Sequence, residues 1–147
     1  MSESNEAAAD DTAGAAGEGA DAWARGVAKM TEVYAGEVIT PPQGSMPFSD
    51  VMLATLFAEV WDRDVLSVRD RRLLIMGVIA ARGGVDTWKI QSRAALRNGE
   101  LTVDELRETL VMLAPYAGYP SVAPLVVETE GVIHRFEKEA REAETAD

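Results

Sequence analysis

The stretch Trp61–Gly84, WDRDVLSVRDRRLLIMGVIAARGG, decides the fold. Its centre, LLIMGVIAA from Leu73 to Ala81, is apolar nearly all round and is bracketed by Arg72 and Arg82. The run is far shorter than the roughly 20 residues needed to cross a bilayer, so it reads as a core helix lying centrally or at a subunit interface. Ser67, with Asp70 three residues on, resembles a capping box in which Asp is a shorter arm than the usual Glu. Gly83-Gly84 stops the helix.

Downstream, Asp86 opens a helix that runs to Arg97, and Asn98-Gly99 ends it. Thr102 with Glu105 is a full capping box for LTVDELRETLVML, which Pro115 should end or kink. Gly118 permits a turn, and Pro120 suits the first turn of a last helix starting near Ser121. Pro124 still falls near that start, whereas Gly131 sits in mid-helix and weakens it by about 1 kcal/mol relative to Ala. Upstream, Ser49 is placed to N-cap SDVMLATLFAEVWD, where Met52, Leu56 and Val60 share a face. VITPPQGSMPF has too many prolines for a helix and reads as a connector. Before it, Trp23, Val27, Met30 and Tyr34 form a helical stripe that Gly36 ends. Strand patterns are absent, and the expectation is an all-α bundle of about six helices.

A chain of 147 residues suits one core. The net charge of −11 is unevenly spread: residues 1–22 hold Glu3, Glu6, Asp10, Asp11, Glu18 and Asp21 and no base. With Ala and Gly between the acids, that segment reads as a disordered acidic tail, 23–140 as the helical domain, and 141–147 as a charged end that frays. Between Arg63 and Arg97, eight Lys/Arg face only Asp64, Asp70 and Asp86. That patch either attracts anionic ligands or pairs with acidic helices of its own or a neighbouring subunit; overall acidity argues against nucleic acid. The absence of cysteine rules out a disulfide framework, a thiolate metal site and a redox dithiol. The N-terminus lacks a signal-peptide pattern, and a cytoplasmic protein with no membrane association is expected.

Glu59, beside Trp61 on an otherwise apolar helix, is a candidate general acid or base, with a salt bridge to Arg93 or Arg71 as the structural alternative. Arg93 suits bidentate clamping of a carboxylate, or a pair with Glu59 or a helix end. Tyr116 and Tyr119 flank Gly118 and either present hydroxyls to a pocket or anchor a turn. Trp61 and Trp88 read as packing residues and His134, the only histidine, as a surface imidazole. No His/Asp/Glu set has metal-ligand spacing, and no Ser-His pair or phosphate loop is present.

Three ordered segments resemble the carboxymuconolactone decarboxylase family of the alkylhydroperoxidase-like superfamily. They are Glu59-Val60-Trp61 with Leu66–Arg71, then Arg93–Gly99 (RAALRNG) with its leucine-threonine cap and Glu-Leu-Arg-Glu helix, then Tyr116–Pro120 (YAGYP). The resemblance implies an alkylhydroperoxidase-like helical subunit forming a homo-trimer or homo-hexamer with pockets near subunit contacts. It implies a decarboxylase or related lyase, using no metal or organic cofactor, for a small anionic lactone or organic acid such as 4-carboxymuconolactone of aromatic catabolism. On it, Glu59, Gln91 and Arg93 are the catalytic candidates (proton transfer, orientation and anion clamp), with Tyr116, Met112, Trp61 and Tyr119 lining the pocket. Gln91 stands where family decarboxylases commonly carry His, and Met112 where they commonly carry His or Gln. Gln91 still makes hydrogen bonds but shuttles no proton near neutral pH. The Cys-x-x-Cys peroxidase chemistry of the superfamily is excluded. A catalytically degenerate homo-oligomeric binding or scaffold protein is the alternative.

Overall fold

The computed structural model describes residues 6–146, which are all-helical with no strand among them. Among the described residues there are six helices: α1 (Glu6–Val33), α2 (Pro47–Met52, prolonged as a π-helix over Leu53–Trp61), α3 (Val68–Ala81), α4 (Val85–Arg97), α5 (Val103–Ala117) and α6 (Tyr119–Ala146). They fall into two compact units. One holds the chain up to Glu32 together with Val38–Asp64; the other holds Val33–Glu37 and everything from Val65 onward.

In the first unit, α1 begins well before the stripe at Trp23. The stretch expected as an unfolded acidic tail forms its first turns from Glu6, while residues 1–5 lie outside the described residues. Alanine is the best helix former and acids suit a helix N-terminus, so the composition that argues against a core does not argue against a helix. Gly26 is buried against α2: a Cβ there would run into the Leu53 carbonyl and stand 3.0 Å from Leu53 Cα. Ser49 is not the N-cap of α2. The helix starts earlier, with Pro47 in its first turn, and Ser49 is buried with its hydroxyl on Met46 Sδ at 3.1 Å. Proline, whose missing N–H costs nothing at that position, wins over a hydroxyl cap. Leu53, Phe57 and Trp61 are buried, and Phe57 stacks on Trp61 at 6.4 Å between ring centroids. A turn of π-helix leaves no distinctive residue pattern, so the hydrophobic spacing anticipated only an ordinary helix.

The second unit carries the continuous core. Met76 and Ile79 of α3, Trp88 and Leu96 of α4, Leu106 and Leu110 of α5, and Leu125 and Val132 of α6 form one buried cluster, in which α6 packs on α4 and α5. Side chains of this size each contribute about 1.5–3 kcal/mol on burial. Ser67 caps α3 by accepting from the Asp70 N–H at 3.0 Å. Thr102 and Glu105 complete their capping box, with bonds of 2.8 and 3.1 Å. Pro115 does not end α5, which continues to Ala117 before Gly118 breaks it at φ 94°. The final helix starts at Tyr119 with Pro120 in its first turn. It runs on through the charged segment expected to fray, whose last residues are exposed.

Candidate functional site

The apolar run of α3 is not uniformly buried. Met76, Ile79 and Ala80 face the core, whereas Leu74 is 63% and Val78 57% exposed. Arg72 lies on the buried face, four residues before Met76, and is completely buried. A buried guanidinium is tolerable only when its donors and its charge are met. Glu100 meets both, taking Nε at 2.9 Å and Nη2 at 3.0 Å in a bidentate pair. Arg72 also donates to the Val33 carbonyl and to Gln91 Oε1. Its guanidinium carbon lies 5.9 Å from the Tyr34 ring centroid, within cation–π range.

That arrangement fixes Gln91, which is 1% exposed. With its carbonyl oxygen committed to Arg72, its amide nitrogen donates to the Tyr34 hydroxyl at 3.4 Å. Asn98, at the C-terminal end of α4, donates to Glu100 at 3.1 Å and to the Val33 carbonyl at 3.4 Å. Arg72, Glu100, Gln91, Asn98 and Tyr34 thus form one polar network inside the second unit.

Two residues further along α4, Arg93 belongs to a separate charged cluster. Its Nε lies 3.1 Å from Glu37 Oε2, and Arg97 Nη1 lies 2.7 Å from Glu37 Oε1. Glu139 of α6 closes the square, 2.7 Å from Arg97 and 3.6 Å from Arg93. Arg93 therefore pairs with Glu37 and Glu139, not with a helix end. The basic patch between Arg63 and Arg97 is largely paired within the chain, since Arg69 also meets Glu105 and Lys89 meets Glu128. Among exposed groups, Glu105 is held below its ordinary 4.5 mainly by the Thr102 backbone hydrogen bond. Glu130 is held below it by Arg107.

The remaining candidates are dispersed. Met112, 60% exposed, lines a cleft of about 380 Å³ between α3 and α5, floored by Leu73, Met76 and Leu113 and rimmed by Arg69, Glu105 and Glu108. Tyr119, 70% exposed, lines a second cleft of about 420 Å³ between α5 and α6, with Val122, Val126 and the Arg107–Glu130 pair. Tyr116 is exposed at the end of α5. Glu59 and Trp61 belong to the first unit, where Glu59 is exposed and Trp61 is buried against Phe57. His134 is exposed, and Trp88 is a core residue whose Nε1 donates to Thr129 at 2.8 Å.

Sequence reasoning passed over Arg72, Glu100, Tyr34, Arg97, Glu37 and Glu139. One signal was available for Arg72: it precedes Met76 by four residues and Ile79 by seven, on the face that periodicity assigns to the core. Tyr34 carried no comparable signal, because its place in the α1 stripe gave it an apolar reading.

Residues 47–126, which include Arg72, Gln91, Arg93, Asn98 and Glu100 but not Tyr34, Glu37 or Glu139, match the family described as the Carboxymuconolactone decarboxylase family. A 4-carboxymuconolactone decarboxylase of Acinetobacter baylyi is 34% identical over 74 residues, covering 50% of this chain and 54% of that protein. A nitrosuccinic acid decarboxylase of Metarhizium robertsii is 28% identical over 88 residues, covering 60% of this chain and 61% of that one. The chain therefore spans little more than half the length of these curated relatives. No solved structure matches it significantly. With more than half its length inside the family match, the chain belongs to the carboxymuconolactone decarboxylase family.

Proposed function

We propose that this protein is a decarboxylase or related lyase that acts, without metal or organic cofactor, on a small anionic lactone or organic acid. Carbon dioxide leaves a carboxylate only if the electrons left behind are stabilised and a proton reaches the carbon framework. In this reading Arg93 clamps a substrate carboxylate, Gln91 orients the substrate by hydrogen bonding, and Glu59 transfers the proton. Met112, Tyr116, Tyr119 and Trp61 are the proposed substrate contacts. The observation that carries the reading is that α4 directs Gln91 and Arg93 into hydrogen-bonded polar clusters on a chain whose matched relatives are both named as decarboxylases of carboxylic substrates. None of the described helices is long and apolar enough to cross a membrane, and a cytoplasmic setting is proposed.

The proposed active form is a homo-trimer or homo-hexamer. The proposal draws on the large apolar side chains that the second unit leaves exposed, among them Leu74, Val78, Val111, Met112 and Val127. A second reading, a catalytically degenerate scaffold of the same fold, draws on one specific fact: Gln91 has almost no accessible surface, and Arg93 is already neutralised by Glu37 and Glu139. The test is turnover of carboxylated lactones, 4-carboxymuconolactone first, followed by carbon dioxide release. Wild-type activity that Glu59→Gln abolishes establishes the lyase. Inactive wild type, with activity created by Gln91→His or Met112→His, establishes the scaffold.

A further inference from the structure

Glu37 is the most completely clamped carboxylate of the Arg93 cluster. Arg93 approaches it with two nitrogens, Nε at 3.1 Å from Oε2 and Nη2 at 3.4 Å from Oε1, and Arg97 adds Nη1 at 2.7 Å from Oε1. One guanidinium fork spanning both oxygens of a carboxylate, with a second guanidinium nitrogen on one of them, is a geometry by which arginines recognise carboxylate ligands in general. The side chains remain 19%, 28% and 36% exposed for Glu37, Arg93 and Arg97, so the clamp is open to solvent.

The way the chain delivers Glu37 sets it apart from the other ion pairs. Val33 and Tyr34 are pinned: the Val33 carbonyl accepts from Arg72 and Asn98, and the Tyr34 hydroxyl accepts from Gln91. Immediately after them the Glu37 N–H bonds to the Tyr34 carbonyl at 2.9 Å, closing a turn whose central residues are Ala35 at φ 52° and Gly36 at φ 73°. Positive φ at both central positions is the type I′ pattern, which suits Gly36 and strains Ala35. Glu37 is therefore carried on a strained turn next to a fixed anchor. Glu139, by contrast, projects from the continuous helix α6.

We propose that Arg93 and Arg97 form a carboxylate-binding subsite that Glu37 fills from within the chain, and that a small organic carboxylate enters by displacing the Glu37 side chain. Exchange of one carboxylate for another leaves the charge of the cluster unchanged and every guanidinium fork occupied. No buried cation is orphaned by the exchange, and the turn need not detach from Arg72 or Gln91. A phosphate dianion would place both its charges on one centre beside Glu139 and is disfavoured, whereas a dicarboxylate seats one carboxylate between the arginines and leaves the other outside the clamp. The inference rests on the reading of Arg93 as an anion clamp and adds Arg97 as its second half and Glu37 as its built-in competitor.

A ligand that must displace an internal occupant binds with an apparent dissociation constant divided by the vacant fraction. Calorimetric titration of the full chain with succinate reads this directly, with succinamide as the uncharged control at matched ionic strength. Glu37→Gln, which keeps the shape and removes the charge, should bind succinate about tenfold or more tighter than wild type. Glu37→Asp, whose arm is shorter by one methylene, should show a partial gain. Adding Arg93→Gln to Glu37→Gln should remove the gain. Glu130→Gln, which vacates the unrelated Arg107 pair, should behave as wild type. The proposal is overturned if neither Glu37 variant, folded by circular dichroism, binds succinate more tightly than wild type, or if Glu130→Gln gains as much. Because binding is read without turnover, a Glu37→Gln protein that binds succinate while the wild type decarboxylates nothing keeps the subsite and removes the lyase. Lactone turnover indifferent to both Glu37→Gln and Arg93→Gln removes the subsite and keeps the lyase.

Discussion

Replacement of Glu100 by Ala tests whether the Arg72 network organises the second unit. Arg72 has no accessible surface, and only 8% of the Glu100 side chain is exposed, so solvent cannot take over the lost partner. The variant keeps the Val33 carbonyl, Gln91 Oε1 and the Tyr34 ring around the guanidinium, but removes two charge-assisted bonds of 2.9 and 3.0 Å and the carboxylate that pairs with it. Breaking a buried pair from one side costs about 3–5 kcal/mol, because the partner charge stays buried. At about 2–4 °C per kcal/mol for a chain of this size, the melting temperature should fall by roughly 6–20 °C.

Arg72→Met should cost less, since Glu100 then retains the Asn98 amide at 3.1 Å and no cation is left stranded. The double variant should recover at least about 2 kcal/mol relative to the sum of the singles, within the range of coupling for residues in contact. The assay is urea unfolding followed by far-ultraviolet circular dichroism, read from the midpoint at constant slope. A loss below about 1 kcal/mol for Glu100→Ala, or additivity of the two singles, would refute the reasoning.

Other consequences follow from single contacts. Gly26→Ala drives a methyl group into the Leu53 carbonyl and should destabilise by at least about 1–3 kcal/mol in the same unfolding assay; an unchanged midpoint contradicts the close approach. Thr129→Val, nearly isosteric, leaves the fully buried Trp88 N–H without its 2.8 Å partner and should cost about 1–3 kcal/mol, whereas a neutral result assigns that bond no weight. Glu105 and Glu130 have depressed folded-state pKa values, so what they contribute is fully present above the ordinary 4.5 and is lost as pH falls through the lower folded values. Glu105→Gln should therefore flatten part of the acid limb of the stability profile below pH 4.5 and leave pH 7 to 9 unaltered in shape. Gln91→His puts an imidazole where burial disfavours charge and Arg72 demands an acceptor, so its proton should come off below the unperturbed value of about 6.5. Proton NMR of the introduced imidazole checks this, and titration at or above about 6.5 contradicts it.

The helices were legible where the code is local. Capping residues, glycine stops and apolar spacing at Ser67, Thr102 and Asn98-Gly99 act within one or two turns, and the structure places helix ends there. What escaped was decided by competition or by distant parts of the chain. Pro47 displaced Ser49 as the start of α2, and α5 runs through Pro115 for one further turn fragment. The π-helical stretch faces Gly26 across 27 residues of sequence, a separation that no local periodicity reports.

The candidate site divides along the same physical line. Gln91 and Arg93 were singled out, Gln91 through the resemblance around the RAALRNG segment and Arg93 also as a guanidinium fork. Their partners were not, because a charge on a sequence does not announce which opposite charge it will meet. Arg72 illustrates the cost of treating charge as surface. Flanking an apolar run, it looks like a boundary, yet its position on the Met76–Ile79 face commits it to the interior, and Glu100 must follow it there. Once that pair is inside, Gln91 has only one orientation that satisfies both its ends: carbonyl toward the guanidinium, amide toward Tyr34. The position that the family resemblance would fill with a histidine is thus held by a side chain whose direction is set by a buried cation. Any chemistry at α4 operates with Gln91 as a fixed donor, and the proton must come from elsewhere.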